Sequence, residues 1–287
     1  MPIIKKIIKY ANILKPTKYV TVKVQSLSES EILKGRCALI TGGTSGIGYS
    51  IAEAYIKAGA SVIITGRNQE KLDKALASLK KGCAYGFVLD NTDVSSFDLV
   101  FKEMQSVIQK SGIPYIDILV NNAGVNYRGM PNAIEDEYDK VLDTNLKGVF
   151  FLSQLFGKYL VKNFIKGNIL NIASASSLRP ADSAYTVSKW GIRGLTLGLA
   201  KSLGKNGITV NGIAPGPTAT PMMKVSNDGN MYHPNIPLGR FITPEEISNM
   251  AVILVSEMGR SIMGDIIYMT GGAGILTLDD VPYGFNL

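Results

Sequence analysis

Seven short apolar runs recur along the chain, each separated from the next by a longer stretch with helical spacing. The runs are Cys37–Thr41, Ser61–Thr65, one ending near Leu89, Ile116–Val120, Asn168–Ile172, Thr209–Ile213 and Asp265–Met269. Between them the spacing predicts helices over about 47–58, from about Asn68, and over about 95–110, 135–163, 184–203 and 244–256. Strands that are apolar throughout must be covered on both faces, and regular alternation with amphipathic helices supplies that cover. The expectation is an α/β fold, a doubly wound (Rossmann) seven-stranded parallel sheet with helices on both faces. One domain over residues 35–287 accommodates all of it, with residues 1–34 as an extension. Residues 215–242, rich in Pro, Met, Asn and Gly, form the one long irregular stretch, and such a stretch inside a compact domain is usually a functional lid.

The formal charge of +7 suggests nucleic acid until it is located. Residues 1–34 carry seven lysines against Glu29 and Glu31, so most of the excess sits in the extension and no basic groove follows the domain. Nucleic acid is therefore not an expected partner. Ile3, Ile4, Ile7, Ile8 and Ile13 with interspersed lysines suggest a basic amphipathic helix ending near Pro16, and 19–24 alternates like a short strand. Residues 1–18 could touch a membrane surface, but an arm packed on its own subunit or a neighbour is the simpler reading. No apolar run approaches the roughly 18 residues a bilayer span needs, and no secretory pattern opens the chain. Two cysteines without metal-ligand spacing fit a reducing, cytoplasmic setting.

The first strand runs into Thr41-Gly42-Gly43-Thr44-Ser45-Gly46-Ile47-Gly48. Glycines permit a tight turn and close backbone approach, and the helix that follows offers free N–H groups and positive dipole to a pyrophosphate. The spacing is G-x-x-x-G-x-G rather than the standard dinucleotide fingerprint; alone it could be a structural turn. At the end of the second strand, an acidic residue would bond a ribose 2′-OH and a basic one would accommodate a 2′-phosphate. Here the chain reads Thr65-Gly66-Arg67-Asn68, with no carboxylate until Glu70. Arg67 can pair with a phosphate, so NADP(H) is expected over NAD(H), with NAD(H) still possible. The bland alternative is a solvated Arg67 at a helix start.

Tyr185 and Lys189 lie four apart at the start of a predicted helix and so share a face. A phenol titrates at about pH 10, and a neighbouring ammonium is expected to lower that value toward useful acid–base chemistry. A bare Tyr-x-x-x-Lys pair is common on surface helices. Its context is not. TGGTSGIG at 41–48, NNAG at 121–124, Asn145 in TNLKGVF, Ser174 in NIASASS, Tyr185 through Lys189, and PGPTATPM at 215–222 follow one another in the order of the short-chain dehydrogenase/reductase family, which the chain resembles over about residues 35–272.

The resemblance implies a nicotinamide-dependent oxidoreductase moving a hydride between cofactor and a carbonyl or alcohol. It implies Tyr185 as acid/base, Lys189 on the nicotinamide ribose, Ser174 orienting the substrate carbonyl, and Asn145 binding a water in a proton relay. For the cofactor it implies Gly42, Thr44, Ser45, Gly46, Ile47 and Gly48 at the pyrophosphate, Asp90 at the adenine, Asn122, Ala123 and Gly124 at the adenine ribose, and Pro215, Gly216, Thr218 and Thr220 around the nicotinamide. It also implies a homo-oligomer, tetramer or dimer, built on the helices that carry Asn145 and Tyr185.

One departure matters. Ser174 and Tyr185 are 11 apart, about two fewer than the family's usual interval, a difference a loop absorbs readily. Ser176 is the alternative substrate contact and Ser177 a weaker one; a local cap or turn role is open to all three. Arg128 and Arg179 could attract an anionic substrate group or simply be solvated. His233, the one histidine, falls in the lid, as a substrate-edge or exposed side chain; no hydrolase triad and no metal cluster is expected. The rival from another class is a non-catalytic dinucleotide sensor or scaffold, against which the four-residue set argues. Among substrates, 3-oxoacyl thioesters, sugars or polyols, steroids and small ketones stay open.

Overall fold

The computed structural model describes residues 18–22, 31–220, 222 and 229–276. Seven strands, β1 (Cys37–Ile40), β2 (Ser61–Gly66), β3 (Ala84–Val88), β4 (Ile118–Asn121), β5 (Asn168–Ile172), β6 (Thr209–Pro215) and β7 (Ile266–Met269), form one sheet. Its order is β3-β2-β1-β4-β5-β6-β7 and every neighbouring pair is parallel. The order reverses between β1 and β4, which opens a crevice beyond the carboxyl ends of those strands. The helices are α1 (Gly46–Lys57), α2 (Gln69–Ser78), α3 (Phe97–Lys110), α4 (Glu135–Leu142), α5 (Gly148–Lys162), α6 (Ala184–Leu203) and α7 (Pro244–Val255). No described helix is long and apolar enough to cross a membrane.

Local chemistry sets the helix starts. Asn68 accepts from the Lys71 N–H at 2.9 Å and starts α2. Ser183 takes the Thr186 N–H at the head of α6. Thr243 and Glu246 cap each other at α7, with Pro244 in the first turn, where a missing N–H costs nothing.

The sheet is covered on both faces, as the uninterrupted apolar strands require. On one face α1 and α7 pack on β1, β4 and β5 through Ile51, Tyr55, Ile247 and Val252, all fully buried. On the other, Phe101, Met104, Phe156 and Leu160 from α3 and α5 cover Leu39, Leu119 and Ile169. Each such side chain contributes about 1.5–3 kcal/mol through burial. At the amino ends of the strands, away from the crevice, Arg36 pairs with the buried Asp117 and bonds the Val255 carbonyl at 3.0 Å and Asn168 at 2.6 Å, tying the start of β1 to β5 and α7.

Three expectations shift. The continuous helix expected over 135–163 is two helices joined by a π turn at Asp143–Lys147. Domain packing begins slightly before residue 35: Leu33 is fully buried and its N–H donates to the Ala58 carbonyl at 2.8 Å. The amphipathic helix expected before Pro16 lies outside the described residues. Of the strand expected over 19–24, residues 19–22 are described and form no strand; Val20 is instead hydrogen-bonded to Asn230 and Met231.

Candidate active site

A cavity of about 370 Å³ occupies the crevice. The ends of six strands feed it: Gly42 follows β1, Gly66 and Arg67 lie at the end of β2, Leu89 and Asn91 follow β3, Asn122 to Val125 follow β4, Ile172 to Ser174 lie at the end of β5, and Pro215 and Gly216 at the end of β6. Thr44, Ser45, Gly46 and Ile47 bring the head of α1 to its wall, and Thr218, Thr220 and Met222 bring the start of the irregular segment.

The turn after β1 is built for backbone at close range. Gly42 and Gly46 have φ of +65° and +56°, a region that favours glycine. A Cβ on Gly48 would stand 2.4 Å from the Asn122 amide nitrogen, so Gly48 is what lets α1 lie against the β4 turn; it does not line the cavity. Asn122 in turn donates to the Thr41 and Gly42 carbonyls, at 2.9 and 3.1 Å, and holds the turn open. Ser45, at the N-cap of α1, gives no side-chain cap, which leaves the first-turn N–H groups available beside the cavity. This donor set fits a pyrophosphate.

A second left-over donor lies farther along. Asn91 is 3% exposed, lines the cavity, and its amide nitrogen has no hydrogen-bond partner. A buried donor without a partner costs about 1–3 kcal/mol, which a bound acceptor recovers. Asp90, expected at the adenine, is not in the wall; its carboxylate takes the N–H and hydroxyl of Thr92, both at 2.9 Å. Asn91, the next residue, is the one whose side chain reaches the wall.

At the opposite end Ser174, Tyr185 and Lys189 converge on the same cavity. Ser174 ends β5 as the cap of a short turn, its Oγ accepting the Ser176 N–H at 3.1 Å, which leaves its own proton to give. Ser176 is not in the wall. Ser177 is fully buried and donates to the Ser174 carbonyl at 2.8 Å, a structural duty. Tyr185 and Lys189 stand one turn apart on α6, and the Lys189 Nζ donates to the Ile172 carbonyl at 2.8 Å, 5.5 Å from the centre of the Tyr185 ring. Burial pushes the lysine down from 10.5 to about 8. Burial raises the Tyr185 phenol, with a hydrogen bond from Ser174 acting the other way. Burial is the larger influence on the phenol, and what opposes it is the Ser174 hydrogen bond rather than the Lys189 ammonium expected to do so.

Asn145 sits in the π turn and is 1% exposed, behind the wall rather than in it. Its Oδ1 accepts the Val125 N–H at 2.8 Å, and its amide donates to the Val125 carbonyl at 2.9 Å and to Ser188 at 3.3 Å. The side chain braces the wall at Val125, so a relay water there would have to be met by the backbone of the π turn, a feature frequent at functional sites. Arg128 and Arg179 do not line the cavity: Arg128 is paired with Glu137 at 3.1 Å and Arg179 lies against Gly274. His233 is half-buried, edge-on to Phe241 at 4.7 Å.

Known proteins resemble this chain over most of its length. The family model described as Enoyl-(Acyl carrier protein) reductase matches residues 42–274. The 3alpha-hydroxysteroid dehydrogenase of Mediterraneibacter gnavus is 35% identical over 255 residues, 84% of this chain and 98% of that protein. The chain belongs to the short-chain dehydrogenase/reductase family. Within that family, the 3-oxoacyl-[acyl-carrier-protein] reductase of Chlamydia muridarum is 36% identical over 250 residues, 85% of this chain and 99% of that one. The crystal structure of 3-ketoacyl-(acyl-carrier-protein) reductase from Brucella melitensis, complexed with NADH, superposes with a TM-score of 0.75 at 26% identity, over 85% of this chain and all of that one. As a short-chain dehydrogenase/reductase the protein is a nicotinamide-dependent oxidoreductase, and its uncapped α1 start, glycine turn and unpartnered Asn91 fit such a cofactor.

Proposed function

We propose that this enzyme reduces a carbonyl, or oxidises the matching alcohol, with NADP(H) preferred and Tyr185 as the general acid/base. The observation that carries the proposal is the convergence of Ser174, Tyr185 and Lys189 on one end of a cavity whose other wall is the glycine turn and Arg67. The bound nicotinamide supplies or accepts the hydride. The remaining steps belong to the chain. Ser174 hydrogen-bonds the substrate oxygen through its hydroxyl and fixes its position. Tyr185, held protonated by burial, passes its proton to that oxygen as the C–H bond forms. Lys189, fixed by the Ile172 carbonyl, keeps two further donors for the ribose and stabilises the phenolate that remains. Asn145 keeps the Val125 wall in place.

Arg67 supports the NADP(H) preference. It lines the cavity at the end of β2, and Asn68 beside it is the cap of α2, so no carboxylate opposes a 2′-phosphate there. Gly42, Thr44, Ser45, Gly46 and Ile47 would meet the pyrophosphate. Asn91, with Asn122, Ala123 and Gly124, would meet the adenosine. Pro215, Gly216, Thr218 and Thr220 would meet the nicotinamide. Relatives named for steroid and 3-oxoacyl substrates keep both carbonyl classes in play. A homo-oligomer remains part of the proposal: Phe150 and Phe151 on α5 and Trp190 and Leu197 on α6 expose apolar surface that a second copy would cover.

The test is consumption of NADPH and of NADH against acyl thioesters, ketoses, diketones and quinones. Turnover of one class with NADPH favoured supports the reading. Preference for NADH would remove the role of Arg67, and failure to bind either cofactor would remove the whole.

A further inference from the structure

Ser174 and Tyr185 are 11 apart, a short interval for the family. The chain spends it on one turn, Ala175–Leu178, and on an exposed stretch, 180–182, that has no buried side chain to hold it. The turn grips Ser174 directly. Ser177 donates to the Ser174 carbonyl through its N–H at 3.0 Å and through its hydroxyl at 2.8 Å, and the Ser176 N–H donates to the Ser174 Oγ at 3.1 Å. Where the turn sits therefore sets where the serine hydroxyl points. The turn is itself held from α6. The Trp190 indole N–H donates to the Arg179 carbonyl at 2.8 Å. The Arg193 guanidinium lies 5.4 Å from the centre of the Trp190 ring, and its Nη1 donates to the Ser177 carbonyl at 3.4 Å. A further tie, from the Met130 N–H to the Asp182 carbonyl at 2.8 Å, comes from the segment after β4.

Both anchors belong to the helix that carries Tyr185 and Lys189: Trp190 follows Lys189 directly, and Arg193 stands one turn beyond it. The helix thus reaches back over the loop that leads into it and fixes the serine at the end of β5. The guanidinium is attracted to the face of the indole and steadies the ring whose N–H reaches Arg179. We propose that Trp190 and Arg193 are positioning residues, a clamp on the short loop that brings the Ser174 hydroxyl to the substrate oxygen within reach of Tyr185. Neither side chain lines the cavity, so both act through Ser174 and touch neither substrate nor cofactor. The inference rests on the oxidoreductase reading for what Ser174 does, but the clamp itself does not.

Two full-length variants test it. Trp190→Phe keeps an aromatic ring beside Arg193 and loses the N–H donor; Arg193→Met keeps the stem and loses the guanidinium. Each is made in the wild-type and in the Ser174→Ala background, and kcat/KM for the carbonyl substrate is read in all of them. The clamp predicts a loss of about fivefold in the wild-type background, the worth of one net hydrogen bond, with the NADPH Kd within about twofold. In the Ser174→Ala background it predicts a further loss below about 1.5-fold, because the hydroxyl being positioned is gone. Equal losses in both backgrounds, or no loss in either variant, overturn it. The Arg179 N–H, which donates to the Ser176 carbonyl at 3.2 Å inside the clamped loop, gives a readout free of turnover. Its amide exchange should be about fivefold faster in Trp190→Phe. Unchanged exchange overturns the clamp. If the full chain reduces no carbonyl, the oxidoreductase reading fails, while the exchange of Arg179 still decides whether Trp190 holds the loop.

Discussion

Lys189 stands 5.5 Å from the centre of the Tyr185 ring, its ammonium anchored on the Ile172 carbonyl at the end of β5. The pair is i and i+4 on α6, but its geometry is fixed by the strand, not by the helix alone. Burial disfavours the charged form of each partner, so the lysine is pushed down and the phenol up.

That burial has a consequence for stability. An unfolded lysine titrates at 10.5 and the folded Lys189 at about 8, so between those values unfolding takes up a proton that the folded state lacks. Stability from this group therefore rises with pH across about 8 to 10.5, and below that window its burial penalty is present in full. Over the window the wild type should gain on the order of 3 kcal/mol relative to Lys189→Met, measured by denaturant unfolding of the cofactor-free proteins at each pH. A difference independent of pH would show that Lys189 keeps an ordinary titration.

The serine assignment separates by substitution. Ser174→Ala should lower kcat about 100-fold, for on the proposed mechanism it removes the hydroxyl that meets the substrate oxygen. Ser176→Ala should leave kcat within about twofold, since that side chain lies outside the cavity wall. Equal losses in steady-state assays of the two variants would undo the assignment.

Arg67→Ser should raise the NADPH Kd about tenfold or more, the worth of a charge-assisted hydrogen bond, and leave the NADH Kd within about twofold. Fluorescence titration of both cofactors checks it. Parallel weakening of both would make Arg67 a general electrostatic contact rather than a 2′-phosphate reader.

Much of this was legible in the sequence because it is local. β5 and α6 fall on the residues that apolar spacing indicates, and the glycine turn, Tyr185 and Lys189 sit on the elements expected of them. What the sequence hid is non-local. The π turn at Asp143–Lys147 leaves no mark in the apolar spacing, which runs on as one helix. Whether Asp90 or Asn91 faces the cavity depends on where β3 ends, and strand ends are the least legible feature of a pattern. Arg128 looked available because Glu137, nine residues on, gives no sign of turning back to it. Asn230 bonds the backbone of Lys18 and Val20, which lie 212 and 210 residues away, and neither segment signals the other.

The central claim, that Tyr185 supplies the proton at a nicotinamide site, is tested most directly by Tyr185→Phe, assayed for NADPH binding and for carbonyl turnover in the same preparation. The prediction is an NADPH Kd within about threefold of wild type and a kcat lower by about 10²–10⁴. Retention of full turnover by the phenylalanine variant would contradict it.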